Sequence, residues 1–334
     1  MDRKSKKPGR LSRRQKVLMA VAVCLAVALA GVVGWKALFV RPDLGGKDPV
    51  EQEKPEELDY EEGLRPRSDG QRKSKDYYTV LILGRDTGGG GNTDTMLLAS
   101  YDVTNQKATV MSIPRDTMVN VPYDIKRINA VYNYGGGGEK GIEYLYKEIS
   151  QLVGFEPDYQ VIVEWEAVGK IVDAMGGVWF DVPRDMNYED PYQDLYIHIP
   201  KGYQTLSGAE ALKVVRFREG YATQDIGRME TQQNFLKAVA KKMLTMENWD
   251  KVDDFVKIFN TYVETDLTLG NLAWLGKEAI SMGAEAISFS TLPSEWHTPY
   301  IYLDPEATLT LVNESLNPYV EDRVPEDLNI PTRG

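Results

Sequence analysis

From Tyr77 onward the chain switches between short runs rich in β-formers and stretches with helical spacing. YYTVLILG (77–84) is a continuous apolar run, which predicts a buried strand. TMLLASYDV (95–103) and KATVMSIP (107–114) repeat that pattern across the polar turn Thr104-Asn105-Gln106, which predicts a hairpin. In IEYLYKEISQLVG (142–154), Ile142, Leu145, Ile149 and Leu152 fall on one helical face and a glycine closes the segment. A strand follows at 159–165, then a helix at 166–175 closed by Gly176-Gly177, then a strand at 178–183. Ser207 and Glu210 form an S-x-x-E capping box ahead of ALKVVRF. A longer helix is expected over about 226–246, with further helices near 249–260 and 269–282. A late strand at 286–293 and a helix near 305–316 complete the pattern. Strands and helices alternate after the first hairpin. This predicts an α/β fold, an αβα sandwich whose mixed central sheet is covered by helices on both faces.

The pattern upstream is different. Residues 17–35, VLMAVAVCLAVALAGVVGW, carry no charge. As a helix they would span about 28 Å, close to the core of a bilayer. Eight basic residues precede them, from Arg3 to Lys16. The positive-inside bias then makes 1–16 a cytoplasmic tail, 17–35 a signal-anchor helix, and the remainder extracytoplasmic. The rival reading is a cleaved signal peptide, because Ala28-Leu29-Ala30 resembles a cleavage site. Residues 36–76 mix charges with Pro and Gly and lack apolar periodicity, as a spacer would. The ordered domain is expected over 77–320, with a tail at 321–334.

Charge sharpens this picture. Nine of the 39 Lys/Arg and one of the 50 Asp/Glu fall in residues 1–40. That leaves 30 basic against 49 acidic residues, a balance of −19. So acidic a body argues against nucleic acid as a partner, since phosphate neutralisation needs a basic face. The one cysteine, Cys24, lies in the apolar run, so no intrachain disulfide can form.

Against this acidic background a few arginines stand beside carboxylates. Asp86 and Asp94 flank a glycine run between two predicted strands, where neighbouring strand ends could bring both carboxylates to one divalent cation. The bland alternative is a polar loop of turn residues. Arg115 and Asp116 follow Pro114 at the end of a third strand, either beside the same sheet edge or as a surface ion pair. Arg216 and Arg218 project from a helix end. Asp225, Arg228 and Gln232 share one face of the next helix, whose N-terminus offers free N–H groups to an anion. The alternative there is a solvated, salt-bridged face. Carboxylates for a cation and guanidiniums that fork onto phosphate oxygens suggest a diphosphate site. His198 and His297 belong to no visible triad or zinc motif, so positioning and charge would have to drive the chemistry.

Residues 77–293 resemble the LytR-CpsA-Psr family of membrane-anchored envelope ligases. The resemblance is carried, in order, by LILGRD, NTDTMLLASYD, VMSIPRDT, RINAVYNYGG, KIVDAMGGVWFDVP, LSGAEALKVVRFR, DIGRMETQQ and FSTLP. It implies an α/β/α domain that holds a polyprenyl-pyrophosphate-linked glycopolymer (teichoic acid, capsule or similar). It implies Mg²⁺ on Asp86 and Asp94, with the diphosphate held by Arg115, Arg216, Arg218 and Arg228. Arg127 would reach the phosphates, Asp225 would orient the arginines, and Gln232 would complete the shell. Two positions depart from the pattern: Asn92 and Thr231 stand where the family usually has arginine.

The implied reaction is a phosphotransfer. A peptidoglycan sugar hydroxyl would attack the phosphorus that carries the glycopolymer, and polyprenyl phosphate would leave. Arg115, Asp94 and Asp225 would carry it, with Asp94 the candidate base. A non-catalytic envelope protein binding the same lipid, and a hydrolase using water as acceptor, are the alternatives. The expected place is the cell membrane of a Gram-positive-type envelope, with the domain outside.

Overall fold

The computed structural model describes residues 39–44, 63–64, 66, 70–85, 93–192, 195–217, 219, 225–244 and 252–333. The chain divides into two compact units, residues 1–42 with 268–276 and residues 43–267 with 277–334. In the smaller unit Thr268 and Asn271 bond each other's main chain at the start of a helix. The Asn271 amide also donates to the Val40 carbonyl at 3.0 Å. The anchor expected at 17–35 lies outside the described residues, among which no helix is long and apolar enough to cross a membrane.

The larger unit is built on a six-stranded sheet. Its strands are β1 (Tyr77–Arg85), β2 (Thr93–Asp102), β3 (Lys107–Ile113), β4 (Tyr159–Glu164), β9 (Val263–Thr265) and β10 (Ile287–Thr291), in the order β10-β3-β2-β1-β4-β9. The first three form an antiparallel meander, while β4 joins β1 and β10 joins β3 in parallel. The sheet is therefore mixed, as the alternation of elements implies.

Two-residue periodicity gives the sheet two unlike faces. On one face Leu81, Leu83, Met96, Leu98, Met111, Ile113 and Ile162 are buried. They meet α1 (Ile128–Tyr134), α2 (Gly138–Val153) and α8 (Pro305–Ser315) in one core. The α2 helix ends where Gly154 takes φ of 74° and returns its N–H to the Ser150 carbonyl. On the other face Val80, Ile82, Ala99, Val110, Val161 and Val163 are only half-buried.

A second core closes over that side. It joins α3 (Trp165–Ala174), the ribbon of β5 (Val178–Val182) and β8 (Gly202–Leu206), the hairpin of β6 (Met186–Asp190) and β7 (Leu195–Ile199), α4 (Gly208–Arg216) and α5 (Asp225–Met243). The expected capping box opens α4: Glu210 N–H donates to Ser207 Oγ, and Ser207 N–H to the Glu210 carboxylate. The helices α6 (Val252–Tyr262) and α7 (Leu269–Met282) and the hairpin of β11 (Ser294–His297) and β12 (Tyr300–Leu303) complete the elements.

Order reaches beyond 77–320 at both ends. The Arg72 guanidinium forks onto Asp158 at 2.8 Å through both nitrogens and reaches the Tyr77 carbonyl at 2.6 Å. Asp158, with a side chain only 2% exposed, also accepts from Thr79 N–H and Oγ at 2.8 Å. This clasp draws the last residues of the expected spacer into the fold, where Gln71 and Lys73 bond Val320 and Pro318. In the expected tail, Asn329 bonds Gln151 through both main chain and side chain.

Candidate active site

The carboxyl ends of β1, β3, β4 and β10 point to one edge of the sheet, the position where open α/β sheets bind ligands. At β3 the chain runs straight into Pro114, Arg115 and Asp116. This segment is held from two sides. Ile301 of β12 donates to the Asp116 carbonyl at 2.9 Å and accepts from Met118 N–H at 2.8 Å. Ile128 and Asn129 donate to the Thr117 and Arg115 carbonyls, and Arg127 pairs with Met118. The main chain thus brings Arg115 and Arg127 side by side. Between them lies the Asp116 carboxylate, 8% exposed, 3.6 Å from Arg115 Nε and 3.5 Å from Arg127 Nη1.

The α5 helix supplies the opposite wall. Arg228 is buried, at 4% exposure. One turn on, the Gln232 amide donates to the Val215 carbonyl at 2.8 Å and ties α5 to the end of α4. Gln233 is fixed to the sheet through Ser112 Oγ at 3.0 Å, the Ser290 carbonyl at 3.1 Å and Thr291 Oγ1 at 2.6 Å. Arg115, Arg228 and Gln232 line one pocket with Thr95, Leu97 and Ser112 of that second face, around roughly 360 Å³ of space open to solvent. Guanidiniums beside such a pocket suit an anion with several oxygens.

The other expected site residues fall differently. Arg127 reaches the pocket's arginine only through Asp116. Arg216 is exposed in the last turn of α4 and does not line the pocket. Asp86 and Arg218 lie outside the described residues, as do the side chains of Asp94 and Asp225. Thr231, at one of the two departures, is buried and turns its hydroxyl back to the Gly227 carbonyl at 2.9 Å, so no cation stands there. The other departure, Asn92, lies outside the described residues. His198 and His297 sit on exposed hairpins beside Glu189 and Glu295 and do not line the pocket.

Three features escaped sequence reasoning. Asp116 serves as the shared partner of two arginines, although its place beside Arg115 in SIPRDT was the available signal. Gln233 pins α5 to the sheet, and no local signal separates it from its neighbour Gln232. Arg85, in LILGRD, faces away from the pocket: Glu264 at 2.5 Å and Glu164 at 3.3 Å hold it on the packed side. The hydrogen bond to Glu264 is the largest of several influences that raise its pKa further.

Among the described residues no cluster of three or more His, Cys, Asp or Glu could hold a metal. Arg85, at the end of β1, lies directly opposite Thr93, at the start of β2. The strand ends next to positions 86 and 94 are therefore adjacent, which fits two carboxylates meeting on one ion.

A model described as the LytR_cpsA_psr family matches residues 46–317, and the chain belongs to that family. It is 26% identical over 264 residues to the regulatory protein MsrR of Staphylococcus aureus, covering 77% of each chain. It is 26% identical over 323 residues to the polyisoprenyl-teichoic acid–peptidoglycan teichoic acid transferase TagV of Bacillus subtilis, covering 92% of this chain and 80% of TagV. The crystal structure of B. subtilis TagV superposes with a TM-score of 0.59 over 72% of this chain and 96% of that one, at 23% identity. TagT bound to LI-WTA gives 0.56 at 23% identity, over 72% and 89% of the two chains. These likenesses establish the α/β fold with its mixed sheet.

Proposed function

We propose that this LytR_cpsA_psr family member moves a glycopolymer from a polyprenyl-pyrophosphate carrier to a sugar hydroxyl of peptidoglycan. Family membership and the kinship with TagV support cell-wall glycopolymer transfer at the level of the family. One observation carries the finer reading. Arg115 and Arg228, from different elements, line one pocket at the margin of a half-buried apolar face made by Val80, Ile82, Ala99, Val110, Val161 and Val163. A charged mouth beside an apolar floor fits a ligand with a phosphate head and a hydrocarbon tail.

In the proposed reaction the sugar oxygen forms a bond to the phosphorus bearing the glycopolymer. The bond from that phosphorus to the polyprenyl phosphate oxygen breaks. Arg115 and Arg228 stabilise the charge that grows on the departing phosphate, and Asp116 keeps Arg115 and Arg127 together. Asp94 is the candidate acceptor of the hydroxyl proton, and Asp225 would orient the arginines. Asp86 and Asp94 would hold Mg²⁺, which would neutralise diphosphate charge. Residues 17–35 would anchor the protein with its domain outside the cytoplasm. An enzymatic reporter fused after Gly334 that worked only in the cytoplasm would refute that placement.

The arginines are tested by Arg115→Lys and Arg228→Lys, assayed by single-turnover transfer from a lipid-pyrophosphate donor beside a thermal melt. Lysine keeps the charge and loses the fork. Each change should slow transfer about ten- to a hundredfold, the worth of one charge-assisted hydrogen bond. Full activity in the double variant would remove these arginines from the reaction. The regulatory name of MsrR favours a second reading, in which the pocket binds the lipid without transferring it. Saturable donor binding with no product in the parent protein would select it.

A further inference from the structure

The β5–β8 ribbon presents an outer face that the proposed transfer does not use. Its inner side, Val178, Phe180, Val182 and Leu206, is buried in the second core. Phe180 meets Phe235 of α5 edge-on at 5.6 Å, so the ribbon rests on the helix that also carries Arg228. By alternation Trp179, Asp181, Tyr203 and Thr205 point outward, with Trp179 opposite Thr205 and Asp181 opposite Tyr203. Trp179 is 61% and Tyr203 70% exposed. Their rings lie diagonally across the ribbon, 6.3 Å apart and within 16° of parallel, as an exposed stacked pair.

We propose that this face binds uncharged hexose or N-acetylhexosamine rings of a glycan strand. The negative π face of an aromatic ring attracts the polarised C–H groups that cover one side of a pyranose. The sugar's hydroxyls then project sideways, where the Asp181 carboxylate and the Thr205 hydroxyl can accept them. Charge selects among possible occupants. Asp181 is the one charged residue among the four outward positions, and a lone carboxylate welcomes hydroxyl donors and repels phosphate-rich polymers. Two side chains of this size left exposed side by side on a two-stranded ribbon mark a contact surface, because ribbon stability needs only the inner face. The inference rests on the proposed transfer only in making that strand the acceptor.

The test uses the full chain in detergent micelles without donor lipid, titrated with N-acetylglucosamine tetramer and read by calorimetry. The parent should bind saturably, with an affinity that salt does not change. Trp179→Ala and Tyr203→Ala should each weaken binding about threefold or more, the worth of one aromatic contact. Tyr203→Phe, which keeps the ring, should bind like the parent. All four outward residues are exposed, so melting curves should stay unchanged. Failure of the parent to bind, or equal binding by Trp179→Ala, overturns the inference. So does salt-sensitive binding of a cationic peptide in place of the tetramer, which would make the face a protein-docking surface. Binding without any transfer in the donor assay would keep this inference and sink the proposed reaction. Transfer without tetramer binding would do the reverse.

Discussion

Glu148 gives the fold a pH dependence that can be worked out in advance. It lies on α2 between Lys147 and the fully buried Ile149, with the Gln151 amide 3.5 Å from its carboxylate. Burial is the chief cause that pushes its pKa from 4.5 up to about 7, against a smaller opposing pull from Lys147. Lys147 is itself engaged with Glu143, one turn back, at 2.9 Å. A carboxyl whose pKa is raised in the folded state stabilises that state while protonated. The contribution is complete below pH 4.5 and is lost as pH rises through about 7. At roughly 1.4 kcal/mol per tenfold change the whole effect is about 3 kcal/mol, most of it falling between about pH 5 and pH 8.

The perturbation is Glu148→Gln, which keeps shape and hydrogen bonding and cannot ionise. Urea unfolding of parent and variant, followed by tryptophan fluorescence at about pH 5 and about pH 8, isolates the effect from every other titrating group. The parent should lose about 2–3 kcal/mol more than the variant over that interval. The variant should therefore be the more stable protein at the higher pH. Equal losses in the two proteins would mean that the carboxyl is solvated in the native state, and the burial argument would fail.

Two further outcomes are expected. Arg72→Ala should cost about 3–5 kcal/mol in urea unfolding, because it strands the buried Asp158 carboxylate; a loss below about 1 kcal/mol would reduce the clasp to a surface pair. Asp94→Asn should weaken Mg²⁺-dependent transfer while leaving the melting temperature unchanged, since asparagine keeps shape and removes the charge that would balance the proposed cation; undiminished Mg²⁺-dependent transfer would take Asp94 out of the proposed metal site.

How much of this was legible in the sequence depends on how local each signal is. The β2–β3 hairpin, the α4 capping box and the glycine stop of α2 rest on neighbouring residues, and each forms where expected. The hairpin β6–β7 escaped although Met186 to Asp190 and Leu195 to Ile199 alternate buried or half-buried with exposed positions. Short alternating strands separated by charged turns carry few residues from which to read a period. The two-turn α1 and the three-residue β9 fall below any usable period, and tertiary contact defines them. The meeting of Arg115 with Arg228 is different in kind. Their separation in sequence is bridged by the packing of α5 on β3 through Gln233, which no local pattern encodes. Likewise the clasp of Arg72 on Asp158 joins residues 86 positions apart, so a stretch of spacer-like composition becomes part of the fold.

Arginine recurs across this acidic body, and its role tracks the carboxylates within reach. Arg85 faces two glutamates, one of them at hydrogen-bond distance of 2.5 Å. Arg72 has one aspartate to itself through two parallel bonds of 2.8 Å. Both are structural, because their charge is matched where they stand. At the pocket Arg115 and Arg127 share Asp116 at 3.6 and 3.5 Å, beyond good hydrogen-bond length, and Arg228 lines the other side. The one carboxylate lies between the two guanidiniums and orients them toward each other. The carboxylates that the proposed function adds, Asp86, Asp94 and Asp225, would pull the other way. They would repel a diphosphate unless a divalent cation balanced them. Under the proposed function the arginines and the aspartates would make one site only together with a metal, and removal of Mg²⁺ should weaken the binding of the donor as well as slow its reaction.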